Sequence, residues 1–234
     1  MTKRTFRYYD VIVVAFVTVL LCANLIGAGK AAQADLPLLG TVVFGAGILF
    51  FPISYVFSDI LTEVYGYAYD RRAVWCGFGA LIFATLMSII VLHLTPAPGE
   101  YNSQLQDGLQ AVFGNTWRIV IGSMTAFWCG SLINAYVLAK MKIWSNGKYL
   151  WMRMIGSTAA GELVDSSIFY FVAFYGIWST QQVIEVALAQ YVLKTGWEIL
   201  AVPFTYRIVQ WLKEKESVDH YDVTTNFNPF KASL

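Results

Sequence analysis

Long stretches of apolar residues alternate with short polar segments along the whole chain. Each stretch approaches the roughly 20 residues that an α-helix needs to cross about 30 Å of hydrocarbon. The pattern therefore predicts an all-α integral membrane protein with six transmembrane helices. The flanking polar residues set the predicted spans at 10–29, 41–57, 73–94, 117–139, 154–178 and 183–209.

The composition favours a membrane protein over a soluble one. Hydrophobic residues make up 57% of the chain and charged residues 13%, against about 45–50% and 25% in a typical soluble domain. So few charged residues cannot cover the surface of a soluble fold of this size. The net charge of +1 also argues against a nucleic-acid-binding surface. The three cysteines lie in separate apolar stretches, which indicates neither a disulfide framework nor a metal site.

Basic residues indicate how the six spans are oriented. Of the sixteen Lys and Arg residues, thirteen lie in the terminal flanks and the loops on the same side, two lie on the opposite side, and Lys194 lies within the sixth span. By the positive-inside rule, both termini are expected in the cytoplasm, and the protein in the cytoplasmic (inner) membrane. Residues 1–212 then form the transmembrane domain, and the polar residues 213–234 form a flexible cytoplasmic tail. Residues 95–116 are expected to be a partly ordered external loop.

Ionisable side chains within or beside the spans are the first candidates for a functional site, because a charge at the bilayer centre costs about 2.5–3.5 kcal/mol on insertion scales. They come in pairs three or four residues apart, so the members of each pair share one face of a helix. Such polar stripes cannot face lipid and are predicted to converge on a central cavity. The paired residues are Asp59, Glu63, Glu162, Asp165, Lys194 and Glu198.

Amide and aromatic side chains extend the same stripes. A cavity with several carboxylates, two amides, one ammonium and aromatic faces suits a flat, hydrogen-bonding ring such as a guanine-like base, although vitamins and cations fit the same composition. Pro52 is expected to kink the second span, as in the broken helices that build many transporter sites. The additional candidates are Tyr55, Phe127, Asn134, Gln190 and Trp197.

Two other interpretations account for buried charges in a membrane. One is an ion-pair network that only holds the helices together, although a single lysine cannot compensate five acids. The other is an intramembrane enzyme that uses paired carboxylates as acid and base or as metal ligands. Neither a nucleophile motif nor HExxH is present, so the chain is expected to be no enzyme and to hold no metal or cofactor. Nor does it contain GxxxxGK[ST], so ATP would be used only through a partner.

Three segments resemble the queuosine precursor transporter family, whose six-helix architecture is similar to that of the substrate-binding components of energy-coupling-factor vitamin transporters. The segments are FPISYVFSDILTEVYGYAYDRR, GELVDSSIFYFVAF and YVLKTGWEILAVPFTY. The resemblance implies import of 7-deazaguanine precursors of the tRNA nucleoside queuosine, namely the 7-cyano or 7-aminomethyl base or queuine. It also implies that all six paired ionisable residues bind the substrate and, less firmly, that Gln190 does.

The expected partners are a deazapurine and the lipid bilayer, with no nucleic acid. A homodimer and a separate ATPase remain open. The first alternative is the substrate-binding component of a vitamin transporter that such an ATPase drives.

Overall fold

The apolar stretches fold into long α-helices, which confirms the all-α prediction in outline. The computed structural model describes residues 6–27, 31–36, 40–114 and 117–231. A π-helical turn, Ala23–Gly27, extends the first helix. The helices are α1 (Tyr9–Cys22), α2 (Phe51–Tyr65), α3 (Tyr67–His93), α4 (Glu100–Phe113), α5 (Trp117–Trp144), α6 (Leu150–Phe174) and α7 (Thr180–Glu216).

Within the described residues, three helical segments are long and apolar enough to cross a membrane. They are Tyr9–Gly27, Tyr67–His93 and Trp117–Trp144. The helices α6 and α7 have the length, with 25 and 37 residues, but both carry several charged side chains. These charged side chains lower the mean hydropathy of α6 and α7. They include the residues that are expected to form a site.

The segment before α2 differs from the prediction. Instead of one helix over 41–57, Ala31–Leu36 (β1) and Gly40–Gly45 (β2) form an antiparallel pair, and α2 begins only at Phe51. Closely spaced glycines disfavour a helix before α2, and the β-branched residues of β2 favour a strand. The predicted kink at Pro52 is also wrong, because this residue lies in the first turn of α2, where its missing N–H group is not needed.

The predicted external loop contains a helix. Within 95–116, residues Glu100–Phe113 form α4, and all of its residues are at least partly exposed. The side chain of Gln106 donates a 2.9 Å hydrogen bond to the carbonyl oxygen of Leu92, which ties α4 to the end of α3.

The helices α5 and α6 are in close backbone contact. A Cβ atom on Gly130 would lie 3.0 Å from the carbonyl oxygen of Gly161, and one on Gly161 would lie 2.9 Å from that of Gly130. Only hydrogen atoms fit between these backbones, as in other membrane helix pairs built on small residues. The contact brings Asn134 of α5 and Asp165 of α6 beside the same seam, each with its Cβ atom 2.9 Å from one of the two added Cβ positions.

The beginning of α1 and the end of α7 lie at one end of the helix bundle. The side chain of Glu216, the last residue of α7, accepts hydrogen bonds from the backbone N–H groups of Arg7 (3.1 Å) and Tyr8 (2.7 Å). We call this the terminal end of the bundle. The opposite end carries α4 and the α6–α7 connection, residues 175–179.

Residues 217–231, the tail, lie against the terminal end, whereas the sequence predicts a loose segment over 213–234. Both carboxylate oxygens of Asp222 accept hydrogen bonds from the backbone N–H of Tyr67, at 3.2 and 3.0 Å. Arg71 donates two 2.9 Å bonds to tail carbonyl oxygens, and Trp75 donates a 2.8 Å bond to a third. Most of these acceptors are backbone atoms, which leave no pattern in the sequence.

The first prediction concerns the α5–α6 contact. Gly161→Ala is expected to lower the free energy of unfolding by about 2 kcal/mol, because the new methyl group meets rigid backbone. Gly79→Ala is the matched control, since no atom lies within 4 Å of an added Cβ there. Thermal unfolding in detergent measures both. Equal melting temperatures for the two variants would contradict the close contact.

The second prediction is that low pH releases the tail from the terminal end. Burial alone would raise the pKa of Asp222, but hydrogen bonds from His220, Thr225 and the backbone of Tyr67 outweigh it and hold the pKa below its usual 3.8. Ionised Asp222 therefore stabilises the docked tail above about pH 4, and this stabilisation is lost as the pH falls through the lowered pKa.

Hydrogen exchange of the tail amides, corrected for intrinsic rates, measures this stabilisation. At pH 7, Asp222→Asn is expected to speed exchange about tenfold, equivalent to about 1.4 kcal/mol. The exposed Asp107→Asn is expected to have no effect. Tail protection in the wild type that is as strong at pH 2 as at pH 7 would contradict this account.

Candidate functional site

Lys194 of α7 is at the centre of a buried ion-pair group. Its Nζ atom lies 2.5 Å from Asp165 Oδ2 and 3.0 Å from Glu162 Oε2. Both acids project from the same face of α6 because they are three residues apart. The ring of Phe51 on α2 lies 5.1 Å from the same Nζ atom, which adds a cation–π contact. One ammonium therefore joins α7 to α6 and α2.

A second layer of polar residues lies behind this group. Asn134 of α5 donates a 2.8 Å hydrogen bond from Nδ2 to Asp59 Oδ1 on α2. Glu198 of α7, 1% exposed, interacts electrostatically with Asp59 and Glu162. Across the part of the chain that the structure describes, no donor is placed to bond either oxygen of Glu198 or the second oxygen of Asp59.

The hydroxyl group of Tyr55 belongs to the same site. It is buried and interacts electrostatically with all four carboxylates of the two layers. Together these residues have four carboxylates and one ammonium, so acid is in excess. We call the set the central polar cluster: Tyr55, Asp59, Asn134, Glu162, Asp165, Lys194 and Glu198.

A cavity of about 300 Å³ lies on the side of Lys194 toward the opposite end of the bundle. Its polar wall includes Asp165, Ser166, Gln190 and Lys194. The remaining wall is largely aromatic, and the rings of Phe174 and Trp178 stack with centroids 4.0 Å apart. A volume of this size lies at the lower end of the range for small-molecule sites. The aromatic lining comprises Phe51, Phe169, Tyr170, Phe174 and Trp178.

The structure places Glu63 in a separate cluster, nearer the terminal end. Its Oε1 atom lies 2.7 Å from Arg153, 2.6 Å from Lys213 and 3.4 Å from Lys142. Asp219 of the tail lies 2.5 Å from Lys142 and 2.8 Å from Lys213. We call these five residues the terminal ion cluster. They tie α2, α5, α6, α7 and the tail together.

The pKa of Asp219, the tail residue of this cluster, depends on its two lysine neighbours. Burial opposes the ionisation of Asp219, but hydrogen bonds from Lys142 and Lys213 more than offset it, so the pKa of Asp219 lies below its ordinary value. Asp219 is therefore ionised at neutral pH and shares the positive charge around Glu63.

Two predicted stacking residues lie outside the cavity. Phe127 is buried in the apolar core, with its ring centroid 6.2 Å from that of Phe16. Trp197 lines an apolar groove between α2 and α7 together with Ile53 and Leu200. Helical spacing places both residues near the polar positions along their helices, but it does not determine which neighbouring side chains pack against them. Gln190 lies with Lys194 and Asp165 in the wall of the cavity.

Sequence reasoning missed part of the site. Tyr170 and Phe174 lie four residues apart on one face of α6, which was a usable signal, and Trp178 follows in the α6–α7 connection. In the sequence, Lys142, Arg153 and Lys213 indicate only the orientation of the helices. Their contacts with Glu63 join helices far apart in sequence, which spacing along one helix cannot reveal.

The chain is similar to known proteins. Residues 45–208 match a family model described as "Putative vitamin uptake transporter". A protein of Bacillus subtilis (strain 168) named "Probable queuosine precursor transporter" is 32% identical over 179 residues, covering 76% of this chain and 74% of the relative. No solved structure matches the chain. The matched residues 45–208 include the whole central polar cluster.

The third prediction tests how much the ion pairs of Lys194 with Glu162 and Asp165 contribute to stability. Lys194→Met is expected to lower the free energy of unfolding by about 3 kcal/mol, because it leaves two buried carboxylates without their cation. Adding Asp165→Asn to this variant is expected to restore part of the loss, since one unpaired charge is removed. Thermal unfolding in detergent measures the double-mutant cycle.

Lys215→Met, at an exposed position of the same helix, is the control and is expected to leave the melting temperature unchanged. Additive effects of the Lys194 and Asp165 substitutions would show that the ion pair contributes nothing to stability.

Proposed function

This chain belongs to the family of vitamin uptake transporters, and we propose that it imports 7-deazaguanine precursors of queuosine. The substrates are 7-cyano- or 7-aminomethyl-7-deazaguanine, or queuine. The observation that carries the proposal is the cavity over the Lys194–Asp165 ion pair, which combines aromatic walls with both hydrogen-bond donors and acceptors. As a member of a transporter family, the protein is not an enzyme.

The chemistry of the cavity matches a guanine-type ring. Such a ring presents N–H donors along one edge and a carbonyl acceptor beside them. In our proposal the carboxylate of Asp165 accepts from the N–H edge, while Lys194 and Gln190 donate to the carbonyl, ring nitrogen or nitrile. The stacked pair Phe174 and Trp178 offers its faces to the flat ring. Asp59, Glu162, Glu198 and Asn134 lie behind this contact layer.

We propose that six helices, α1, α2, α3, α5, α6 and α7, cross the cytoplasmic membrane with the terminal end in the cytoplasm. Thirteen of the sixteen Lys and Arg residues support this orientation. Residues 1–212 then form the transmembrane domain, with 213–234 in the cytoplasm. The 15-residue α2 rises about 22 Å, so it completes its crossing together with the segment before it.

This orientation gives the three polar regions an order along the transport path. The cavity lies toward the outer face, the central polar cluster lies at mid-depth, and the terminal ion cluster closes the path toward the cytoplasm. The bound ring passes inward only when α6 and α7 separate from Glu63, which breaks its contacts with Arg153 and Lys213. Alternating exposure of the central site is the mechanism we propose.

The fourth prediction tests the substrate class. At about 100 times its dissociation constant, a ligand that binds only the folded protein adds roughly 2.7 kcal/mol of stability. We expect 7-cyano- or 7-aminomethyl-7-deazaguanine to raise the melting temperature of the purified protein more than guanine does, and riboflavin and biotin not to raise it. Asp165→Asn is expected to abolish this shift, whereas Glu185→Gln, at an exposed position near the start of α7, is expected to retain it.

The same variants are then assayed in cells that depend on precursor salvage, with queuosine in tRNA as the readout. Stabilisation by a vitamin and by no deazaguanine would overturn the proposal in favour of a vitamin-binding component, and copurification of an ATPase would identify its driver. A full deazaguanine response from Asp165→Asn would overturn the binding site.

A further inference from the structure

Three acidic side chains without a cationic partner continue from the central polar cluster toward the terminal end. They are Glu198 on α7, Asp59 on α2 and Asp70 on α3, each at most 1% exposed. In the described ranges, neither oxygen of Glu198 or Asp70 and only one oxygen of Asp59 accepts a well-formed hydrogen bond. The hydroxyl group of Ser58 lies beside Asp70.

These residues differ sharply from the other buried acids. Lys194 forms ion pairs with Asp165 and Glu162, and three cations surround Glu63. An ionised carboxylate buried without such a partner is costly, and binding a proton removes the cost. The geometry therefore separates acids held by cations from acids that are suited to hold a proton.

The unpaired acids form a connected series. Glu198 interacts electrostatically with Glu162 and Asp59, and Asp59 with Asp70. Asp70 in turn interacts with Asp222 of the tail. The series runs from α6 through α7, α2 and α3 to the tail.

The series ends at the surface of the terminal end. Asp222 Oδ1 lies 3.4 Å from Nε2 of His220, whose side chain is 45% exposed. A group at this position exchanges protons directly with solvent. Its other end begins beside the ion pair that lines the cavity.

Each unpaired acid is surrounded mostly by acidic or neutral groups. Glu198 faces Asp59 and Tyr55 of α2 and Glu162 of α6. Asp59 also faces Asn134 of α5.

The lower part of the series has a similar environment. Asp59 faces Glu63 on its own helix, and Asp70 faces Tyr9 of α1 and Asp222 of the tail. Beside the upper part of the series, Lys194 and the terminal ion cluster are engaged with other acids. Near the lower end, Arg71 donates to tail carbonyl oxygens and Arg72 interacts with Tyr9, so a proton passing between these carboxylates meets positive charge only there.

We propose that Glu198, Asp59 and Asp70 conduct protons from the cavity to the terminal end. Import of the substrate is thereby coupled to proton entry, an inference that rests on the proposed function. A proton from water in the cavity binds Glu162 and passes to Glu198, which becomes a neutral acid. Transfer to Asp59 restores the Glu198 carboxylate.

The Ser58 hydroxyl, which lies beside Asp70, then accepts this proton and gives up its own to Asp70, and Asp70 releases it to water beside Asp222 and His220. Each transfer breaks one O–H bond and forms one bond to hydrogen, so one proton crosses and no group is oxidised or reduced. Coupling to the substrate comes from Lys194. When Lys194 donates to the bound ring, its hold on Glu162 weakens and that carboxylate takes up a proton.

The fifth prediction tests this coupling with the full chain in liposomes. A gradient of one pH unit, acidic on the outer side, is imposed while the membrane potential is clamped. Uptake of labelled 7-cyano-7-deazaguanine, which lacks an ammonium group, is recorded together with a trapped pH-sensitive dye. One proton per substrate is expected to give about tenfold accumulation and internal acidification, and a protonophore is expected to abolish both.

Asp70→Asn removes a proton carrier with little change of volume, and Asp70 lies outside the proposed substrate contacts. It is expected to reduce accumulation from about tenfold to onefold, while substrate exchange and thermal stabilisation by the ligand are retained. Glu198→Gln provides a second variant in case Asp70→Asn does not fold, and it is expected to lose accumulation as well. Asp10→Asn, exposed at the terminal end, is expected to retain the full response.

The outcomes separate the two proposals. Exchange of the deazaguanine by the wild type without accumulation or acidification overturns proton coupling and leaves the proposed function intact. Undiminished accumulation by folded Asp70→Asn or Glu198→Gln overturns the route. Absence of both exchange and ligand stabilisation in the wild type overturns the proposed function, and the coupling with it.

Discussion

The close approach of α5 and α6 at Gly130 and Gly161 determines the geometry of the rest of the site. With the two backbones in contact, Asn134 and Asp165 lie at one seam, and α2 and α7 pack along it. Any larger residue at this contact would push the helices apart and lengthen the hydrogen bond from Asn134 to Asp59. The polar chemistry of the membrane core therefore depends on two residues that have no side chain.

Charge within the bundle is distributed unevenly, and this unevenness gives the proposed path a direction. One lysine serves two acids beside the cavity, three cations serve one acid near the terminal end, and the acids between them have no ion-pair partner among the described residues. Cations at both levels hold helices together, since each ion pair joins different elements. The acids between these two levels do not join helices through ion pairs. A change in their charge therefore disturbs the packing of the helices least.

Much of the site could be predicted because a charge in hydrocarbon is costly and must face inward. The pairs on α6 and α7 and the contribution of Asn134 followed from helical spacing alone. The strands before α2 could not be predicted from hydropathy, because an apolar stretch serves as helix or strand and the glycines decide between them. Phe127 and Trp197 show a second limit, since spacing gives the height of a side chain but not which neighbour occupies that face.

The tail illustrates a third limit and has a consequence for biogenesis. In the proposed orientation, the positive charge of Lys142 and Arg153 is what retains the terminal end on the cytoplasmic side during insertion. Asp219, which shares the neutralisation of Lys142 and Lys213, follows every helix in the chain and is translated after them. The ion pairs of Asp219 with Lys142 and Lys213 can therefore form only after the last helix has been translated, and they mark the completion of folding.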